Sequence, residues 1–90
     1  MNTFKLRITS PEKSIYDGDA VCLSVRGAEG DLAVMAGHTP FITAVKPCEC
    51  KIYLPDESIR TGITDGGMLT VGKSETVFLC GTFSEKADGI

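Results

Sequence analysis

The sequence predicts an all-β fold, an antiparallel β-sandwich of about ten short strands in two sheets. Three observations predict it. Apolar and polar residues alternate with a period of two along most of the chain, as in Phe4-Lys5-Leu6-Arg7-Ile8. Turn signals built from Gly, Pro, Asp and Ser recur about every 8–12 residues. No window carries a 3.6-residue apolar periodicity long enough for a helix. Two facing sheets let each strand bury one of its two faces.

The elements follow in order. Thr3 to Thr9 alternates Phe4, Leu6 and Ile8 against Lys5 and Arg7, and Ser10-Pro11-Glu12 breaks it. Ser14 to Asp17 reads as a short second strand ended by the turn pair Asp17-Gly18. Asp19 to Arg26 puts Val21, Leu23 and Val25 on one face and Cys22 and Ser24 on the other. Gly27 to Gly30 reads as a tight turn, with glycines where φ > 0 is free of strain. Leu32 and Val34 then alternate with Asp31 and Ala33 in a half-buried strand. Gly37 to Pro40 is a corner, since Pro40 holds Thr39 extended. Phe41 to Lys46 is an apolar strand.

Cys48 to Leu54 and Ile59 to Thr64 form a hairpin across the polar turn Pro55-Asp56-Glu57-Ser58. In its second strand Ile59, Thr61 and Ile63 share a face. Asp65-Gly66-Gly67 turns the chain again. Met68 to Val71 and Glu75 to Cys80 form a second hairpin across Gly72-Lys73-Ser74. Thr82-Phe83-Ser84 adds a last short strand. The domain is read as residues 1–84, and 85–90 as a polar tail. The apolar residues of the strands are core by default.

Ninety residues make one domain, and an apolar fraction of 42% is that of a folded chain. No run approaches the ~20 apolar residues of a membrane span, and the N-terminus lacks the apolar core of a signal peptide. The chain is expected to be soluble and inside the cell. Net charge is −3 with scattered basic residues, which argues against a nucleic-acid partner. The four cysteines, Cys22, Cys48, Cys50 and Cys80, are expected to be reduced thiols. Cys48 and Cys50 fall on one side of a strand, but a metal site needs two more ligands and His38 is the only imidazole. Neither a metal nor a cofactor is expected.

The stretch from Gly27 to Pro40 is the densest run of special residues. His38 has no nucleophile or acid beside it in sequence that would make a catalytic set. Its ring is expected to bond a loop carbonyl or pack under Pro40. Glu29 and Asp31 are two carboxylates at i and i+2, which a solvated turn and strand start accommodate without any chemistry. The glycine pairs are not phosphate loops, because no Gly-Lys-Ser/Thr and no helix follow at the required spacing.

Gly27, Glu29-Gly30-Asp31-Leu32, Val34, Gly37-His38-Thr39-Pro40-Phe41, Thr43 and Val45-Lys46-Pro47, taken in series, resemble the signature of the epsilon subunit of F-type ATP synthases. Phe4 to Pro11 and Gly66-Gly67-Met68-Leu69 with Val71 extend the resemblance over nearly the whole chain. Cys48 stands where that family usually has glycine, so the turn after Pro47 is expected to differ locally.

The resemblance implies a flattened sandwich of two five-stranded sheets. It also implies a non-catalytic rotor subunit at the foot of the central stalk, on the cytoplasmic face of a bacterial membrane. Its partners would be the gamma subunit and the c-ring of a proton- or sodium-translocating synthase. Glu29, Asp31, His38, Thr39 and Pro40 would then be partner contacts, the acids facing basic loops of the c-ring. Family members usually continue into a C-terminal pair of helices that brakes hydrolysis and in some members binds ATP. This sequence ends at Asp88-Gly89-Ile90, so neither property is expected of these ninety residues. The alternative from a different class is a free-standing β-sandwich binding module. It would want an aromatic platform, and the six aromatics are spread over separate strands. An enzyme would want a nucleophile paired with a base, and none is visible.

Overall fold

A computed structural model describes residues 2–85. It contains ten strands and, among the described residues, no helix. They are β1 (Phe4–Thr9), β2 (Ser14–Ala20), β3 (Cys22–Gly27), β4 (Gly30–Met35), β5 (Phe41–Val45), β6 (Cys48–Tyr53), β7 (Ile59–Thr64), β8 (Gly67–Val71), β9 (Thr76–Cys80) and β10 (Phe83–Glu85). β10 thus reaches one residue beyond the expected domain end, and the rest of the expected tail, 86–90, lies outside the described residues.

The strands form one hydrogen-bonded path in the order β10-β7-β6-β3-β5-β8-β9-β1-β2, with β4 on the other edge of β3. This corrects two expectations. The sheet is mixed rather than antiparallel, because β1 runs parallel to β9 over Leu6–Thr9 and Thr76–Leu79. The two halves are also not separate sheets, since Gly27 of β3 pairs with Val45 of β5. That join is a single residue pair, with five strands on either side of it.

The join has a local cause. β3 pairs along one edge first with β6 and then with β5. Those two strands are one stretch of chain bent at Lys46-Pro47, where proline cannot donate to a ladder.

The core is one cluster drawn from both halves. Leu6, Ile8, Leu23, Leu69 and Phe78 are fully buried, as is Cys50, with Val34 and Ile52 nearly so. The alternation read for β1, β3 and β6 is borne out, with Leu6 and Ile8, Leu23 and Val25, and Cys50 and Ile52 inside.

Two readings are corrected. Asp17-Gly18 is not a turn; β2 continues through it to Ala20, paired Asp17 to Arg7 and Gly18 to Leu6. The missing side chain at Gly18 makes room for the Tyr16 ring, whose hydroxyl donates to the Asp19 carbonyl at 2.6 Å. In β7 the isoleucines point out and Gly62 and Thr64 point in. Gly62 faces the Phe83 ring, which lies where a Cβ would stand (2.2 Å). The Thr64 hydroxyl donates to the Thr82 carbonyl at 2.8 Å and accepts from the Gly66 amide at 3.1 Å.

The path's two end strands, β2 and β10, meet through side chains. Arg60 of β7 lies over the Tyr16 ring at 5.3 Å and donates to Glu85 at 2.6 Å. That pairing holds the Glu85 carboxyl below its ordinary pKa.

Candidate functional site

The turn between β3 and β4 is as short as a hairpin turn can be. Gly27 pairs with Gly30, which leaves Ala28 and Glu29 as a two-residue tip. Gly30 carries φ of 133°, a conformation that glycine adopts without strain. Gly27 does not carry a positive φ, and a Cβ there would stand 2.6 Å from the tip of the half-buried Leu32 side chain, which would have to turn aside.

Asp31 is the second residue of β4, directly opposite Arg26 of β3. The Arg26 Nε donates to its carboxylate at 3.0 Å. Both side chains are well exposed, 60% and 78%, so the pair is screened and worth only about 0–1 kcal/mol. The sequence reading placed Asp31 as an exposed acid but missed its partner. Arg26 and Asp31 are equidistant from the Gly27–Gly30 turn, so the hairpin register was the signal that could have found it.

At the other end of β4 the chain turns at Gly37 (φ 82°), where the His38 amide donates to the Met35 carbonyl at 3.2 Å. The His38 ring lies 3.1 Å, at Nδ1, from the Thr39 carbonyl. This is the loop-carbonyl contact expected of it, and the ring also packs with its centroid 5.1 Å from that of Phe41. His38, Thr39 and Pro40 are all exposed.

Phe41 connects the two groups. With Ile42 and Thr43 it lines a shallow cavity of about 310 Å3 whose other wall includes Glu29, Gly30 and Asp31. The structure therefore brings Glu29 and Asp31 to one cavity, while His38, Thr39 and Pro40 stand outside its lining at the far end of β4 and reach it only through the His38–Phe41 ring contact. Among the described residues no group of three or more His, Cys, Asp or Glu side chains is placed to hold a metal.

A second cavity, of about 380 Å3, opens on the neighbouring face of β3, β4 and β6. Arg26, Asp31, Cys48, Glu49, Lys51 and Tyr53 line it. Cys48 begins β6, and its Sγ accepts from the Arg26 amide at 3.4 Å. Lys51 sits 3.9 Å from Glu49.

The cysteines are all unbridged, with Cys50 and Cys80 buried and Cys22 and Cys48 half-buried. Burial pushes the Cys50 thiol up to about 12, with its neighbours Cys48 and Cys80 adding to the shift. Burial likewise raises Cys80. A thiolate is the reactive form. Brief alkylation of the folded protein at neutral pH is therefore expected to label Cys48 and Cys22 first and to spare Cys50. Peptide mass mapping reads the order, and early labelling of Cys50 would contradict its burial.

The sequence could not locate an apolar patch, and the structure does. Ile42 of β5, Met68 of β8 and Leu79 of β9 are 67%, 45% and 53% exposed. Met68 pairs with both Ala44 and Leu79, so these residues cross three adjacent strands on one outer face.

Comparison with known proteins is consistent across the chain. Residues 3–86 match the family described as ATP synthase, Delta/Epsilon chain, beta-sandwich domain. The ATP synthase epsilon chain of Psychrobacter sp. strain PRwf-1 is 38% identical over 71 residues, 79% of this chain and 51% of that protein. The ATP synthase epsilon chain of Clostridium acetobutylicum is 34% identical over 79 residues, 88% of this chain and 59% of that protein. The chain thus spans between half and three-fifths of the length of these relatives.

Two solved structures share the fold. One is a chain of the Euglena gracilis mitochondrial ATP synthase (OSCP/F1/c-ring), with TM-score 0.87, 16% identity, and 92% and 53% of the two chains covered. The other is a chain of the Tetrahymena thermophila mitochondrial ATP synthase (central stalk/c-ring), with TM-score 0.76, 14% identity, and 99% and 74% covered. The turn at Gly27–Gly30, the corner at His38 and the ten-strand sandwich agree with a family match over nearly every residue, and this chain belongs to the ATP synthase delta/epsilon chain β-sandwich domain family.

Proposed function

We propose that this chain is a non-catalytic subunit of the central stalk of a proton- or sodium-translocating F-type ATP synthase. In that role it couples rotation of the c-ring to the gamma subunit. Two bacterial relatives named ATP synthase epsilon chain support the reading, and they favour a place on the cytoplasmic face of a bacterial membrane, held there through the complex.

The observation that carries the reading is one rigid domain with two unlike surfaces. The exposed apolar face of Ile42, Met68 and Leu79 suits a stable protein contact, which we assign to gamma. The region of Glu29, Asp31, His38, Thr39 and Pro40 is exposed and carries two acids, which suits the basic loops of a c-ring. Charges at such a contact set register and encounter rate more than raw affinity.

The domain is expected to contribute no catalytic group or cofactor. It transmits torque, and a mixed sheet with one shared core resists shear between its halves.

The test is capture of the tagged chain from its native membranes with mass spectrometry of what accompanies it. Recovery of gamma and the catalytic ATPase subunits is expected. Their absence from membranes shown to hold intact synthase would overturn the assignment and favour a free-standing binding module. Asp31→Lys is expected to weaken c-ring docking while shifting Tm by no more than a few degrees, since it replaces an exposed ion pair with an exposed like-charge pair opposite Arg26.

A further inference from the structure

We infer that Arg26 is an intramolecular competitor for Asp31 and sets how strongly this corner docks on a cationic partner. The inference rests on the docking role proposed above for Asp31. The hairpin register fixes Arg26 directly across from Asp31, and the guanidinium closes on the carboxylate at 3.0 Å. A lysine or arginine of a partner that approaches Asp31 must first displace this charge. Arg26 also adds a positive charge of its own beside the incoming cation.

The displaced guanidinium has a second seat. Glu49, which lies 3.9 Å from Lys51, lines the same cavity of about 380 Å3 as Arg26 and Asp31. Arg26 is held at its backbone on both sides: its amide donates to Cys48 Sγ and its carbonyl accepts from the Lys46 amide at 2.9 Å. Only its side chain is then left to move. Docking transfers Arg26 from Asp31 to Glu49, which frees Asp31 for the partner without leaving a bare cation at the interface. The Arg26–Asp31 pair is neutral when alone and presents its acid when engaged. Because both the resident and the incoming pair are exposed charges, the competition is strongest at low ionic strength.

The experiment titrates synthase complexes stripped of their own copy of this subunit with the chain and its variants, at low ionic strength. R26Q is expected to bind about twofold to fivefold tighter, the range that loss of one exposed ion pair allows. D31N is expected to bind more weakly, and adding R26Q to D31N is expected to restore little. E49Q is expected to weaken binding, because the displaced arginine then has no acid to receive it.

Unchanged or weaker binding by R26Q, beside a weakened D31N, overturns the role of Arg26 and leaves the docking role of Asp31 in place. A gain from R26Q that is the same with Asn at position 31 shows simple charge repulsion and also overturns the competition. Unchanged binding by E49Q removes the second seat. Unchanged binding by D31N removes the docking role itself.

Discussion

Gly67→Ala is expected to unfold the domain near physiological temperature. Gly67 opens β8 and pairs with Cys80 of β9 on one side and Val45 of β5 on the other. A Cβ at that position would lie 1.9 Å from the Leu79 carbonyl oxygen and 2.9 Å from the Cys80 Cα. Both are backbone atoms, so no rotamer change relieves the contact. β8 and β9 must part, which takes apart the ladder carrying Leu69 and Phe78.

Gly66 cannot absorb the shift. It holds φ of 97°, and a Cβ on it would stand 2.2 Å from the Val45 carbonyl. Its backbone is engaged as well, accepting from the Gly81 amide at 3.2 Å.

A cost of about 4 kcal/mol is at the high end for a point change. A domain of this size holds only about 5–13 kcal/mol in total. The corresponding fall in Tm is about 15–30 °C. Thermal melting followed by far-ultraviolet circular dichroism checks it. Gly18→Ala is the comparison: its Cβ would meet only the Tyr16 side chain, at 3.3 Å from the hydroxyl and 3.5 Å from the ring, and about 1 kcal/mol or less is expected. Equal melting of Gly67→Ala and the parent would show that β8 and β9 do not approach as closely as described.

The glycine pair also marks where the sequence was legible and where it was not. The reading of Asp65-Gly66-Gly67 as a turn holds for Asp65-Gly66, which link β7 to β8, because glycine and aspartate are local signals, but Gly67 is already the first residue of β8. That Gly67 is instead a point of close backbone approach depends on β5 and β9, which are distant in sequence. The same division runs through the fold. Strand positions were readable because side-chain alternation reports directly on the pleat. The parallel pairing of β1 with β9 was not, because neither strand carries a mark of its partner's direction.

In β7 the local pattern pointed the wrong way. Ile59 and Ile63 are the apolar residues, yet the inward face is set by Gly62 and Thr64, which answer to Phe83 and Thr82 some twenty residues on. Glu29, Asp31 and the His38 corner were singled out as contacts by the family resemblance, since local residue types alone read as a solvated turn and a corner. That Phe41 shares a cavity with Glu29 and Asp31, and that Arg26 occupies Asp31, follow from register and packing.

Phe78→Ala separates the scaffold from the docking surface. Phe78 is fully buried and stands at the centre of the β8-β9-β1 ladder, opposite Leu69 on one strand and Ile8 on the other. Both neighbours are themselves fully buried. Truncation removes the largest fully buried side chain and leaves a cavity whose walls belong to three strands, so collapse can fill it only by moving the ladder. A loss of about 3–5 kcal/mol is expected.

Urea unfolding is the measurement, and the midpoint should fall by at least about 1.5 M at a typical slope for a small domain. Capture of the synthase should fall with the folded fraction, and added osmolyte should restore both together. Asp31→Lys makes the opposite prediction: an unchanged midpoint with weakened capture that osmolyte does not repair. If Phe78→Ala retained full capture at urea concentrations where it is unfolded, or if Asp31→Lys lost capture only in step with its own unfolding, the docking surface could not be distinguished from the fold. A rigid two-faced domain requires that the two variants fail in these two different ways.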